Sequence, residues 1–154
     1  MAVATVRFMN EDMQAPKLTP GRLDLVRWVS LPSHGDERGV LTAIESGVDL
    51  PFEVKRVYIL HHIQSERGGH AHRDTYQLVI GVSGRCEMVL SDGTQSRSFL
   101  LDDPTRGLFL GPLLFIRMRN FTPDAAVVVL ASTHYKKSSS IRSWEEYLQV
   151  IGAL

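Results

Sequence analysis

The stretch ERGGHAHRDTYQLVIGV, residues 66–82, places two histidines one residue apart, directly after a glycine pair and shortly before an apolar run. On a β-strand, residues two positions apart project from the same face, so His70 and His72 would project together. Two imidazoles on one face form either half of a metal site or a pair of acid and base groups. The surrounding sequence has to decide between these two interpretations.

Short apolar runs separated by turn signals flank the histidine stretch and indicate about nine strands. The runs before it are RLDLVRWVS (22–30), VLTAIE (40–45) and FEVKRVYILHHI (52–63), with a turn predicted over PSHGDERG (32–39). The runs after it are RCEMVLS (85–91), TQSRSFLL (94–101), LFLG (108–111), PLLFIRMRNF (112–121) and AAVVVLAS (125–132). Strands this short and closely spaced are typical of an all-β sandwich or barrel.

Only the last segment, SSSIRSWEEYLQVIGAL (138–154), changes its period. Its apolar residues recur at helical spacing, and Ser143 followed by Glu146 suits a capping box. We therefore predict an all-β double-stranded β-helix, or jelly roll, with a short C-terminal helix and a ligand in its open end. Residues 1–20 are expected to form a tail or edge segment, and residues 21–154 a single domain.

The composition excludes several classes of partner. Lysine plus arginine and aspartate plus glutamate number 17 each, so no overall field attracts nucleic acid or a membrane surface, and an anionic ligand needs a local cluster. Cys86 is the single cysteine, which excludes an intrachain disulfide and fits a reducing compartment. Because the N-terminus lacks the apolar run of a signal peptide, we expect a cytoplasmic protein.

The spacing around the histidines resembles the first metal-binding motif of cupins, which continues with a glutamate five positions after the second histidine. Gln77 stands at that position here, and a neutral amide is a weaker ligand for a divalent ion than a carboxylate. In the segment that resembles the second cupin motif, Ile116 occupies the position of the histidine ligand. With two of four ligands replaced, we expect no catalytic metal; a metal-dependent oxygenase or epimerase remains the minor alternative.

The other interpretation is that the imidazoles carry protons themselves. Histidine is the natural general acid or base near neutral pH. One member of the pair can take a proton from a carbon beside a carbonyl. The other member, or a tyrosine, can return a proton to the adjacent carbon through an enediol, which shifts the carbonyl by one position.

Five segments in order resemble the WxcM-like nucleotide-sugar 3,4-ketoisomerases, which are cupins: HGDERGVLTAIE, LPFEVKRVYIL, ERGGHAHR, GLFLGP and VLASTHY, within residues 23–150. The resemblance implies an isomerase of deoxysugar biosynthesis that converts dTDP-4-keto-6-deoxy-D-glucose into a dTDP-3-keto-6-deoxyhexose. It implies proton transfer between C3 and C4 without a metal or other cofactor, by His70 and His72. Which of the two is the C3 base does not follow from the sequence, and we take His70 as the candidate. It also implies a homodimer with exchanged N-terminal strands.

The strand before the histidines offers further site residues. By alternation, Arg56, Tyr58 and His62 share one face. If that face lines the interior, Arg56 can pair with the diphosphate, and Tyr58 can hydrogen-bond the sugar or assist proton return.

Four other residues are predicted to contact the substrate. Arg67 is a second phosphate ligand, and Gly69 lets the backbone approach the substrate. Gln77 is a neutral hydrogen-bond partner for a histidine or hydroxyl; its parity relative to His72 requires a bulge if both lie on one strand. Arg38 lies in the predicted turn, whose counterpart in the family is near the ligand.

One departure from the family keeps a second function open. Family members usually carry a histidine where this chain has Ile116. The loss of that polar group from the interior favours a catalytically weak or inactive cupin that binds a dTDP-sugar as the alternative.

Overall fold

The computed structural model describes residues 18–154. Of the predicted tail or edge segment at 1–20, residues 1–17 lie outside the described part. The described residues form twelve strands, β1 to β12, which span Arg27–Ser30, Ser33–Asp36, Gly39–Thr42, Arg56–Leu60, Arg67–His72, Gln77–Ser83, Cys86–Ser91, Ser96–Leu101, Arg106–Leu110, Phe115–Arg119, Ala126–Ala131 and Ser140–Ile141. One α-helix, α1, spans Trp144–Val150, and two short 3₁₀ turns cover Leu23–Leu25 and Lys137–Ser139.

Ten of these strands form two five-stranded antiparallel sheets. The first sheet has the order β1-β9-β6-β11-β4, and the second has the order β12-β5-β10-β7-β8. The crossovers place sequence-distant strands side by side, as in the predicted double-stranded β-helix. The predicted fold class is therefore confirmed. Within the described range, no helix is long and apolar enough to cross a membrane.

The main core lies between the two sheets and contains side chains from both. Val79 and Val129 of the first sheet pack in one cluster with Met88, Ile116 and Met118 of the second. A second cluster covers the outer face of the first sheet, where the segment at 44–54 lies. Because β6 is buried on both faces, its sequence is a nearly continuous apolar run rather than an alternating one.

The C-terminal helix packs on the outside of the second sheet, as predicted. The Ser143 hydroxyl accepts a hydrogen bond from the Glu146 amide at 3.1 Å, which caps the first turn. Tyr147 is fully buried and its hydroxyl donates to the carbonyl oxygen of Leu113 at 2.8 Å. The helix therefore fixes the position of β12, which directly precedes it.

One local prediction is wrong, and another holds over a shorter range. The segment predicted to continue from His72 to Gln77 as one strand with a bulge is two strands: β5 belongs to the second sheet and β6 to the first. The chain crosses between the sheets at 73–76, so no bulge is needed for His72 and Gln77 to face the same interior. The turn predicted at 32–39 is present but shorter, because β2 and β3 pair as a hairpin whose loop contains only Glu37 and Arg38.

The glycine pair before the histidines serves two different needs. Gly68 has φ +91°, and a Cβ there would lie 2.6 Å from the carbonyl oxygen of Ile116 on β10. Gly69 has φ +74°, but a Cβ there would meet nothing within 4 Å. Gly68 is thus required by both backbone conformation and space, and Gly69 by conformation alone.

We therefore expect Gly68→Ala to lower the free energy of unfolding by about 2–5 kcal/mol, because it adds overpacking to backbone strain. Gly69→Ala is the matched control, with an expected loss of about 1–2 kcal/mol from strain alone. Urea denaturation of both variants measures the difference. Equal losses would show that the close approach to β10 does not constrain this position.

Candidate active site

A cavity of about 550 Å³ opens between the two sheets. Its wall combines histidines, arginines and tyrosines with an apolar surface. No aspartate or glutamate lines the cavity among the residues that the structure describes. Seven of the eight predicted site residues line it: Arg56, Tyr58, Arg67, Gly69, His70, His72 and Gln77.

The two histidines project together from β5 into the cavity. Their Nε2 atoms are 3.2 Å apart, and their rings meet edge to face with centroids 4.9 Å apart. The contact requires one Nε2 atom to carry a hydrogen and the other to accept it. If both Nε2 atoms carried a hydrogen, this hydrogen bond would break.

Gln77 connects the histidines to Tyr58 across the cavity. Its Nε2 atom donates to the Tyr58 hydroxyl at 2.7 Å and lies 3.4 Å from Nε2 of His72. Gln77 comes from β6 and Tyr58 from β4, so the two sheets contribute to one chain of polar contacts. The predicted role of Gln77 as a neutral partner matches this geometry.

Burial holds the acid and base groups in their neutral forms. Desolvation lowers the pKa of His72 to about 4, helped by the nearby His70 and by Arg56. Desolvation also lowers the pKa of His70, with smaller contributions from Arg142 and Arg67. The pKa of Tyr58 is raised by burial, partly offset by Arg56 and Gln77. At neutral pH the cavity thus presents imidazole bases beside a protonated phenol.

These shifts predict a loss of stability in acid. Below about pH 6.5 the unfolded chain binds a proton at His72, whereas the folded chain does so only near its lowered pKa of about 4. The free energy of unfolding should fall across this window by roughly 3 kcal/mol from His72 alone. Urea denaturation at several pH values, compared with His72→Gln, isolates this contribution. Parallel pH profiles for both proteins would contradict it.

Three guanidinium groups surround the cavity without a carboxylate partner in it. Arg56 is partly buried, and its Nε atom has no hydrogen-bond partner in the described part of the chain. Arg67 and Arg142 line the same cavity, and neither forms an ion pair with the acidic residues of the described segment. Such a cluster attracts a ligand with two or three negative charges.

The apolar part of the cavity wall includes Ile116, which stands where family members usually carry a histidine. Ile116 lies directly opposite His70 in the pairing of β10 with β5, so both side chains face the interior. It is 4% exposed and adjoins Met88, Met118, Val79 and Val129 in the cavity wall. The part of the cavity next to the histidine pair is therefore lined by hydrocarbon.

Two predicted placements differ in the structure. Arg38 lies at the tip of the β2–β3 hairpin, exposed and paired with Asp36, and this chain does not bring it to the cavity. His62 does not share the face of Arg56 and Tyr58, because β4 ends at Leu60 and His62 adopts φ +51°. Leu60 takes the third interior position instead.

The sequence did not predict three polar residues of the cavity wall: Tyr135, Ser140 and Arg142. They follow β11 and come beside the histidines because β12 pairs with β5, with Ser140 opposite His72. A two-residue strand gives no periodic signal that could reveal such a pairing.

The donor set does not suit a metal ion. In the described range, no three side chains of the metal-binding types His, Cys, Asp and Glu lie close enough together to hold one. The two imidazoles are accompanied by an amide and an isoleucine, and the amide nitrogen of Gln77 is directed at Tyr58.

Comparisons with known proteins identify the family of this chain. The WxcM-like, C-terminal family model, FdtA, matches residues 24–152. A TDP-4-oxo-6-deoxy-alpha-D-glucose-3,4-oxoisomerase of Aneurinibacillus thermoaerophilus is 36% identical over 121 residues, which cover 77% of this chain and 87% of that protein.

The solved structures that this chain resembles include sugar 3,4-ketoisomerases. QdtA, a sugar 3,4-ketoisomerase of Thermoanaerobacterium thermosaccharolyticum crystallised with TDP, matches with a TM-score of 0.82 and 31% identity, covering 86% of this chain and 98% of QdtA. A single-residue variant of QdtA with TDP-4-keto-6-deoxyglucose matches with a TM-score of 0.78 and 32% identity over 80% of this chain and 91% of that one. The chain belongs to the FdtA family of WxcM-like proteins, as its five sequence segments predicted.

Proposed function

We propose that this protein is a dTDP-4-keto-6-deoxy-D-glucose 3,4-ketoisomerase that forms a dTDP-3-keto-6-deoxyhexose. The observation that carries the proposal is the neutral His70–His72 pair, linked through Gln77 to Tyr58, in a cavity lined by three guanidinium groups. The relative from Aneurinibacillus thermoaerophilus is named for this reaction, and QdtA has been crystallised with TDP and with TDP-4-keto-6-deoxyglucose.

The reaction needs only proton transfers. His70 removes the proton from C3, the C3–H electron pair forms the C3–C4 double bond, and the C4 carbonyl oxygen takes a proton from Tyr58. The resulting enediol then accepts a solvent-exchangeable proton at C4 from the histidine pair and returns the proton of the C3 hydroxyl to the Tyr58 phenolate, which leaves the carbonyl at C3. No atom or electron is gained or lost overall, so no redox cofactor is required.

The neutral imidazoles and the protonated phenol suit these roles. A base must be unprotonated when the substrate binds, and the lowered pKa values of both histidines ensure this at neutral pH. A phenol with a raised pKa can donate a hydrogen bond to the developing enolate oxygen. We assign diphosphate binding to Arg56 and Arg67, whose charges no carboxylate in the cavity wall offsets.

Proton NMR of the purified protein with dTDP-4-keto-6-deoxyglucose tests the proposal. The expected result is loss of the substrate signals and growth of a 3-keto-6-deoxyhexose product, whose couplings also give the configuration at C4. An unchanged spectrum with a properly folded protein would refute the assignment.

Ile116 favours a second candidate, a dTDP-sugar-binding protein with weak or no turnover. Its apolar side chain stands beside His70, where a polar group could otherwise contact the sugar. This alternative predicts dTDP binding by calorimetry without isomerisation in the NMR experiment.

We also propose a homodimer in which N-terminal strands are exchanged. The β2–β3 hairpin supports this, because Val40 and Leu41 on it are 69% and 62% exposed and an apolar arm gains by covering such side chains. Arg38 at its tip would then be free to reach a partner's cavity. Light scattering at several concentrations measures the mass, and a monomer would contradict the proposal.

The cytoplasmic location stays a prediction from the sequence.

A further inference from the structure

His70 and His72 present two bases to one face of a bound sugar ring. Both side chains project from the same face of β5, and their Nε2 atoms are 3.2 Å apart. A carbon–carbon bond is about half as long. When one imidazole reaches C3, the other therefore lies over C4 on the same side of the ring, and this holds whichever histidine is the C3 base.

Proton transfer at carbon and at oxygen needs groups in different directions from the sugar. The C3–H bond ionises when it stands perpendicular to the carbonyl plane, because its electron pair must overlap with the carbonyl π system. A carbon of the planar enediol accepts a proton along the same perpendicular direction. Protons on the enediol oxygens lie in its plane, at the edge of the ring. The base at C3 must therefore lie over a face, whereas an acid for oxygen lies at the edge.

The wall across the cavity from the histidines offers one other acid. The first sheet lines the cavity with Arg56, Tyr58, Leu60, Gln77, Val79 and Val129. Of these side chains only the Tyr58 hydroxyl can release a proton, since a guanidinium stays charged, an amide is not acidic and the rest are hydrocarbon. Tyr58 is thus the only group on this wall, within the described chain, that could protonate C4 from the opposite face.

The contacts of Tyr58 leave too little room for that role. Nε2 of Gln77 lies 2.7 Å from the Tyr58 hydroxyl and 3.4 Å from Nε2 of His72. The hydroxyl and His72 are farthest apart if these three atoms are collinear, whereas the two hydrogens of an amide diverge. A ring carbon held between two reacting groups, each about 3–3.5 Å away, needs a separation of about 6–7 Å. The phenol therefore lies beside the histidine pair, at the edge of the ring.

We propose that the isomerisation is suprafacial, with the proton leaving C3 and entering at C4 from the side of the histidine pair. The pair takes one proton at C3 and gives one to C4, so it is unchanged after a turnover. In the 4-keto-6-deoxy-D-glucose unit, the C3 hydrogen is axial and points away from the face that bears the C6 methyl group. A new C4 hydrogen on the same side leaves the C4 hydroxyl axial. The inference rests on the proposed function and specifies its product as a dTDP-3-keto-6-deoxy-D-galactose.

Proton NMR of the product formed in ordinary water gives the configuration directly. In the galactose configuration H4 is equatorial and its coupling to the axial H5 is small, which is the expected result. In the glucose configuration both hydrogens are axial and the coupling is large. Spectra taken early in the reaction precede any uncatalysed epimerisation. A large coupling would overturn the inference and leave the isomerase proposal standing, whereas absence of any keto product would overturn both.

The reverse reaction tests the same claim through rates. The enzyme should convert the galactose-configured 3-keto nucleotide into the 4-keto compound. The glucose-configured epimer should react about 10²–10⁴-fold more slowly, the usual contribution of a general base, because its C4 hydrogen lies on the face away from both histidines. Equal rates for the two epimers would contradict suprafacial transfer.

Tyr58→Phe distinguishes the two possible donors to C4. If the histidine pair gives this proton, the slower variant should still form the galactose-configured product and, in deuterated water, carry as much deuterium at C4 as the wild-type product does. A product of changed configuration would assign the transfer to Tyr58 and overturn the inference. Tyr76→Phe, a half-exposed tyrosine outside the cavity, is the matched control and should change neither rate nor configuration. If Tyr58→Phe does not fold, the two wild-type measurements decide.

Discussion

Replacing His70 with asparagine is expected to lower kcat by about 10²–10⁴-fold, the usual contribution of a general base. Asparagine keeps a polar side chain of similar reach but cannot accept the C3 proton. The variant leaves His72, Gln77 and Tyr58 in place, so it removes only the group assigned as the C3 base. Substrate consumption followed by proton NMR gives the rate.

Two controls accompany this variant. His61→Asn changes an exposed histidine outside the cavity and should keep wild-type activity. His70→Asn should also stop exchange of the C3 proton with deuterated water, a step that does not depend on product formation. Persistent exchange in His70→Asn would show that another group is the C3 base.

Tyr58→Phe is expected to lower kcat by about 10²-fold through loss of an acid group. The phenol is protonated at neutral pH because burial raises its pKa, so it can supply a proton or a hydrogen bond to the sugar. The substitution keeps the ring near Arg56 but removes the acceptor of the 2.7 Å hydrogen bond from Gln77. Steady-state kinetics with the keto sugar nucleotide measures the effect.

Gln77→Leu tests whether Gln77 only positions the Tyr58 hydroxyl or is itself needed for catalysis. It leaves the Tyr58 hydroxyl in place and removes its hydrogen-bond partner together with the 3.4 Å contact to His72, so the loss in kcat should be smaller than in Tyr58→Phe. A Tyr58→Phe enzyme with wild-type kcat would exclude the phenol from the proton transfers.

The sequence predicted that His70 and His72 lie on one face because the relevant periodicity is local. Residues two apart on one strand share a face whatever the rest of the fold does, so His70 and His72 followed from their spacing. Arg56 and Tyr58 followed in the same way from alternation along β4. These predictions needed no knowledge of which strands are neighbours.

Predictions failed where the path of the chain between sheets mattered. Alternation along a single strand predicts a bulge between His72 and Gln77, but the chain leaves the second sheet after His72 and enters the first at Gln77. Tyr135 and Arg142 were missed because a pairing of distant strands, β12 with β5, brings them to the cavity. His62 was misplaced because strand alternation stops where β4 ends.

The role of Ile116 depends on the same long-range pairing. Its spacing already indicated a missing metal ligand, but only the pairing of β10 with β5 places it opposite His70. Ile116 therefore changes the surroundings of the proposed base and also takes the place of a metal ligand.

The central claim is that this cavity moves protons between C3 and C4 without a metal ion. The most direct test is to dialyse the protein against a chelator and incubate it with dTDP-4-keto-6-deoxyglucose in deuterated water. The rate should be undiminished, and the 3-keto product should carry deuterium at C4. Loss of activity that returns only on addition of a divalent metal would contradict it.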